Sequence, residues 1–143
     1  MAIVQAMCKL FKKDLLLGDH HLDTDDIRIA LYTSSASLDA STDAYTTSNE
    51  ITNTSGSAYV AAGQQLTSVT VTENSTSGVF DAADPEWTSA TFTARGALIY
   101  NKTLYDSDNS RGAIAVLDFG GDFTVSGGTF KIVFPAATAS NAI

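Results

Sequence analysis

The chain has 143 residues and a mass of 15.0 kDa, enough for one hydrophobic core and too little for two cores joined by a linker. Eight Lys and Arg stand against 16 Asp and Glu, a formal charge of −8, which is the wrong sign for attraction to phosphate backbones or anionic lipid and argues against nucleic acid and membranes as partners. One cysteine and two adjacent histidines supply neither a disulfide nor a cysteine metal site, and 33 serines and threonines among only 17% charged residues point to a structural or binding role.

Lys9, Lys12, Lys13 and Asp14 interrupt the apolar N-terminal stretch, so it does not read as a signal peptide. Runs such as Ala113 to Leu117 fall far short of the roughly 20 residues that span a bilayer. At about 100° per residue, Ile3, Val4, Met7, Cys8, Leu10, Phe11, Leu15 and Leu17 gather on one half of a helical wheel, opposite Gln5, Lys9, Lys12 and Lys13. This predicts one amphipathic helix over residues 2–17, ended by Gly18, with its apolar face buried under the body or against a partner. Cys8 lies on that face and reads as a small buried hydrophobe rather than a reactive thiol.

Beyond Gly18 the period changes from 3.6 to 2. Ile27, Ile29, Leu31 and Thr33 alternate with Arg28, Ala30 and Tyr32, and further short strands are expected at 66–72, 78–81, 87–93, 97–101, 113–119, 123–125 and 129–135. Turn chemistry separates them at Asn74 to Gly78, Asp84-Pro85, Asp106 to Gly112, Gly120-Gly121 and Gly127-Gly128. The fold class expected is mainly β, an antiparallel β-sandwich or jelly roll behind one N-terminal helix, because a parallel sheet would need helices between its strands. Residues 1–143 form a single domain in this reading, with the body at 27–135. Its least regular part is a polar excursion at 34–63, held down by Leu38, Tyr45, Ile51 and Tyr59.

Candidate chemistry is sparse. Residues 18–26 carry His20, His21 and four carboxylates, yet the H-x-x-x-H or H-x-H spacing of a metal site is missing, and a solvated connection is expected. Asp106-Ser107-Asp108 opens like a calcium loop, but Arg111 occupies the glycine position and no glutamate closes it. No G-x-S-x-G occurs. Of Glu50, Glu73 and Glu86, only Glu86 has an aromatic neighbour, Trp87, that suits sugar stacking, and Trp87 fits better as a core residue at the start of a strand. We therefore expect no catalytic residue, no cofactor and no metal requirement.

Several segments occur in a suggestive order: Leu10-Phe11-Lys12-Lys13-Asp14-Leu15-Leu16-Leu17-Gly18, Ile29-Ala30-Leu31-Tyr32-Thr33, and Ala44-Tyr45-Thr46-Thr47-Ser48-Asn49-Glu50-Ile51. Tyr59 with Ala61 to Gly63 comes next, then Trp87-Thr88, then Phe92 to Asn101, then Ala113 to Gly121 ahead of a Phe-Pro pair. The succession resembles a family of small virion structural proteins of tailed bacteriophages, in which a leading helix precedes a β-rich body. The resemblance implies a capsid decoration or cement protein that binds the major capsid protein as a homo-oligomer on the capsid surface, after synthesis in the bacterial cytoplasm. A tail or fibre component that binds a host receptor through residues 34–63 is the alternative. Ser- and Thr-rich β surfaces suit either role, since they hydrogen-bond without the rotamer entropy of long charged side chains. Phe11, Leu38, Tyr45, Ile51 and Tyr59 are the expected partner contacts, as aromatic and aliphatic anchors within a polar rim.

Overall fold

The computed structural model describes residues 2–52 and 56–135. The chain is mainly β, with two antiparallel sheets. In order the elements are β1 (Ala6–Met7), α1 (Lys9–Leu16), β2 (Ile27–Tyr32), β3 (Gln64–Gln65), β4 (Thr70–Asn74), β5 (Ser77–Asp81), β6 (Glu86–Asn101), α2 (Lys102–Ser107) and β7 (Ala113–Lys131). One sheet runs β1-β7-β6-β2-β3, and β4 and β5 form a separate hairpin.

The N-terminal helix is shorter than its periodicity predicts. Ala6 and Met7 pair with Val116 and Ala115 of β7, and Ile3 forms a bridge to Leu38, so residues 3–7 are extended and the helix starts only after Cys8. Main-chain pairing with a preformed sheet edge outweighs the modest helix preference of this segment. The apolar stripe is accordingly not buried as a whole. Phe11 is buried, whereas Leu15, Leu16 and Leu17 are 46%, 89% and 65% exposed. Three consecutive leucines at about 100° steps sweep about 200°, too wide for a single contact face.

Between β2 and β6 the register pairs Ile29 with Ile99 and Leu31 with Ala97 on one face of the sheet, and Tyr32 with Gly96 and Ala30 with Leu98 on the other. Both faces are covered, and this is why β2 and residues 97–101 read as near-continuous apolar runs. On the first face Asn101 meets His20, which lies edge-on to Phe11 with ring centroids 4.8 Å apart. On the second, Tyr45 stacks on Tyr100 at 4.9 Å, and Ile3 sits so close over Gly96 that a Cβ there would lie 2.9 Å from it. Phe11→Ala is expected to cost about 3–5 kcal/mol, a fall in Tm of about 10–17 °C for a chain of this size; thermal unfolding followed by circular dichroism measures it. An unchanged Tm would place the ring outside the core.

The short strands expected after residue 86 are pieces of two long ones. Gly120-Gly121 and Gly127-Gly128 are bends inside β7 rather than turns between strands, and the pairing of β6 with β7 shifts register around Ala90, Ala94–Gly96 and Ile99. Gly120 and Gly127 take φ of +77° and +64°, open to glycine at little steric cost. The ribbon thereby doubles back. Eleven residues of straight strand would span roughly 36 Å, yet the rings of Phe119 and Phe130 are 6.0 Å apart. The segment read as a turn at 106–112 begins inside α2, whose first turn is capped by the Asn101 side chain accepting from the Leu104 amide.

Candidate interaction surface

Residues 33–63 carry no regular element among those described; side-chain contacts and scattered main-chain hydrogen bonds hold the excursion instead. At its centre is Glu50, a carboxylate only 8% exposed. Its Oε2 accepts from the Tyr45 hydroxyl at 2.6 Å, and its Oε1 accepts from the Tyr59 hydroxyl at 2.6 Å and the Ala62 amide at 2.8 Å. Tyr59 in turn accepts from the Leu31 amide at 3.0 Å, while Ile51 donates its amide to the Leu31 carbonyl. The outer edge of β2 is thus capped by the excursion. Burial, and then the bond to Glu50, push the hydroxyls of Tyr45 and Tyr59 well above the ordinary tyrosine range.

This arrangement corrects the expected partner contacts. Phe11, Leu38, Ile51 and Tyr59 are 5%, 2%, 6% and 0% exposed, and half-buried Tyr45 is committed to Tyr100 and Glu50. All five act as anchors inside the subunit, and their side chains are not free to meet a partner. The residue types that make hot spots at interfaces are the same ones that fill a core, and spacing alone does not separate the two.

The acidic connection after α1 is also committed internally. Asn101 uses its carbonyl oxygen to cap α2, so its amide nitrogen must donate, to Asp25 Oδ2 at 2.6 Å and to His20 Nδ1 at 3.2 Å. Nδ1 therefore accepts, and the buried ring is neutral with its proton on Nε2. Asp14, Asp25, Asp19 and Arg111 surround it. Desolvation outweighs the pull of the three carboxylates and lowers the His20 pKa below its usual 6.5. The unfolded chain takes up this proton near pH 6.5 and the folded chain only at lower pH, so stability falls as pH drops below about 6.5, with a slope of at most about 1.4 kcal/mol per pH unit from this residue. Urea unfolding at pH 7.5, 6.5 and 5.5 checks this. The loss should be visibly smaller in His20→Gln, and an identical pH dependence in both proteins would exclude the histidine as its source.

Other candidates resolve into structure. Asp106 pairs with Lys102 at 2.6 Å, and Asp108 accepts from the amide and hydroxyl of Ser110. Trp87 is 5% exposed, packed among Tyr59, Phe92 and Phe130, which leaves Glu86 without an aromatic platform. Cys8 is fully buried, and desolvation followed by the charges of Asp43 and Asp39 pushes its thiol up to about 11. Among the described residues no group of three or more His, Cys, Asp or Glu is arranged to hold a metal ion, and no helix is long and apolar enough to cross a membrane.

Two exposed apolar patches stand out. One patch is Leu15 to Leu17 at the end of α1. The other follows the bent ribbon, where Phe119, Phe123, Phe130, Ile132 and Val133 line an open groove of about 460 Å³. Phe123 and Val133 are 53% and 70% exposed there. Alternation alone marks Phe123 as a strand residue; its exposure depends on the bends at the glycine pairs, which periodicity does not report. Comparison with protein-family models, curated proteins and solved structures gives no match for this chain.

Proposed function

We propose that this chain is a non-enzymatic virion structural protein of a tailed bacteriophage, a capsid decoration protein seated on the major capsid protein. The observation that carries the reading is the run Leu15 to Leu17, which the subunit's own body leaves bare at the end of α1 while Phe11, on the same helix, is sealed in the core. An exposed apolar patch on an acidic body calls for a docking partner. The order of segments shared with small phage virion proteins, and the Ser- and Thr-rich surface, supply the class of partner. Purified virions quantified by mass spectrometry should contain the protein in hundreds of copies, and Leu16→Lys should abolish rebinding to stripped capsids while leaving Tm within about 1–2 °C, as expected for an exposed site. Six or twelve copies per particle would assign the protein to the tail or connector instead, and full rebinding of the variant would remove Leu15 to Leu17 from the contact.

A further inference from the structure

The edge of β7 is open in a way that the rest of the sheet is not. On one side β7 pairs with β6 along its length, but on the other β1 covers only Ala115 and Val116. Among the described residues no strand neighbours the remainder of that edge, and natural edges of this kind are blunted by lysines, prolines or bulges. Here the positive-φ glycines at 120 and 127 interrupt the edge at two points, leaving Asp122–Ser126 as a regular strand with no lysine and no proline. Phe123, half-exposed, forms one wall of the open groove that it shares with Phe119, Phe130 and Val133.

We propose that this stretch pairs with its own counterpart in a second copy of the chain, antiparallel about a twofold axis at Thr124. Three features select a second copy as the occupant. A twofold interface requires one patch to carry both a projection and the recess that receives it, and the half-exposed Phe123 and the groove it helps to form supply the two within a few residues. Pairing about Thr124 sets Phe123 against Val125 and Asp122 against Ser126 of the second copy, so no like charges face each other across the strands. Most of the charge bordering the patch is offset within the subunit, Arg95 lying 3.3 Å from Asp122 and 3.9 Å from Asp118, and Lys131 3.7 Å from Asp84, which leaves a single uncompensated carboxylate on each copy. Two chains of net charge −8 can therefore meet at this patch with little local repulsion. Stable interfaces bury roughly 800 Å² per partner, and a strand of five residues with one half-exposed aromatic supplies only part of that, so the pairing belongs to the weak, concentration-dependent class.

This inference stands apart from the virion reading, and its test uses purified protein alone. Sedimentation velocity from about 5 to 200 µM should show a monomer–dimer equilibrium, and Phe123→Lys, which places a cation on the edge, should raise Kd at least tenfold. Thr124→Cys tests the register without relying on that substitution. Mild oxidation should give a disulfide-linked dimer, because the twofold brings the two positions 124 together, while Thr72→Cys on the exposed β4 strand should remain unlinked and Cys8 is buried. A wild-type protein that is monomeric at 200 µM overturns the proposal. So does a dimer that fails to cross-link through position 124, or one dispersed by Leu16→Lys and not by Phe123→Lys.

Discussion

Alanine at position 63 is expected to leave little or no soluble folded protein. Gly63 takes φ of +76°, and a Cβ built on it would lie 2.0 Å from the Ile29 carbonyl oxygen, 2.6 Å from its carbon and 2.8 Å from the Ala30 Cα. All three atoms belong to the backbone of β2, a buried strand held between β6 and β3, so no side chain can swing aside to make room. The left-handed backbone alone costs about 1–2 kcal/mol for an L residue. Relieving the overlap would force the excursion away from β2, which removes the Gln64–Gln65 pairing as well. The combined loss is on the order of the whole stability of a small domain, about 5–15 kcal/mol. Expression, partition between soluble and insoluble fractions, and circular dichroism of any soluble material provide the measurement. A folded Gly63→Ala protein with a Tm near that of the parent would mean that the close approach of residue 63 to Ile29 is wrong. Gly18→Ala is the informative control, since a Cβ there meets nothing within 4 Å.

Glu50→Ala is expected to destabilise by about 3–5 kcal/mol, since each buried donor left without an acceptor costs about 1–3 kcal/mol. The substitution strands the Tyr45 and Tyr59 hydroxyls and the Ala62 amide, three donors in a poorly solvated site, and opens a cavity. Glu50→Gln should cost clearly less, because the amide oxygen still accepts and a tyrosine hydroxyl can turn to accept from the amide nitrogen. Tyr59→Phe should fall between, about 1–3 kcal/mol, since it orphans the Leu31 amide and leaves Glu50 Oε1 with the Ala62 amide alone. Urea unfolding of the three variants gives the ranking directly. Equal and small losses in all three would show that the excursion is held by its apolar anchors alone.

These two sites show where reading a sequence stops. Leu38, Tyr45, Ile51 and Tyr59 stand out within a polar stretch as residues that must find cover, and in the structure each is buried or half-buried. That Glu50, one residue before Ile51, would be their common acceptor is not visible in the spacing, because its three donors come from positions 45, 59 and 62 and converge only once the excursion has closed on β2. Gly63 gives no signal either. Its neighbours Ala61 and Ala62 suggest a turn, whereas the constraint comes from a strand more than 30 residues earlier.

The sequence by itself determined the β-rich class, the one N-terminal helix, β2, and the burial of Cys8 and Trp87, since these follow from period, β-branching and side-chain polarity, which act locally. It misjudged the helix start, the number of strands and the role of the five anchors, because each depended on a neighbour distant in the chain. β1 exists only because β7 offers an edge at Ala115 and Val116. The glycine pairs at 120–121 and 127–128 have the composition of turns in either setting, and only the continuing register with β6 makes them bends. Burial of an anchor, likewise, is decided by what the folded chain sets against it: Phe11 received His20, and Leu16 received nothing.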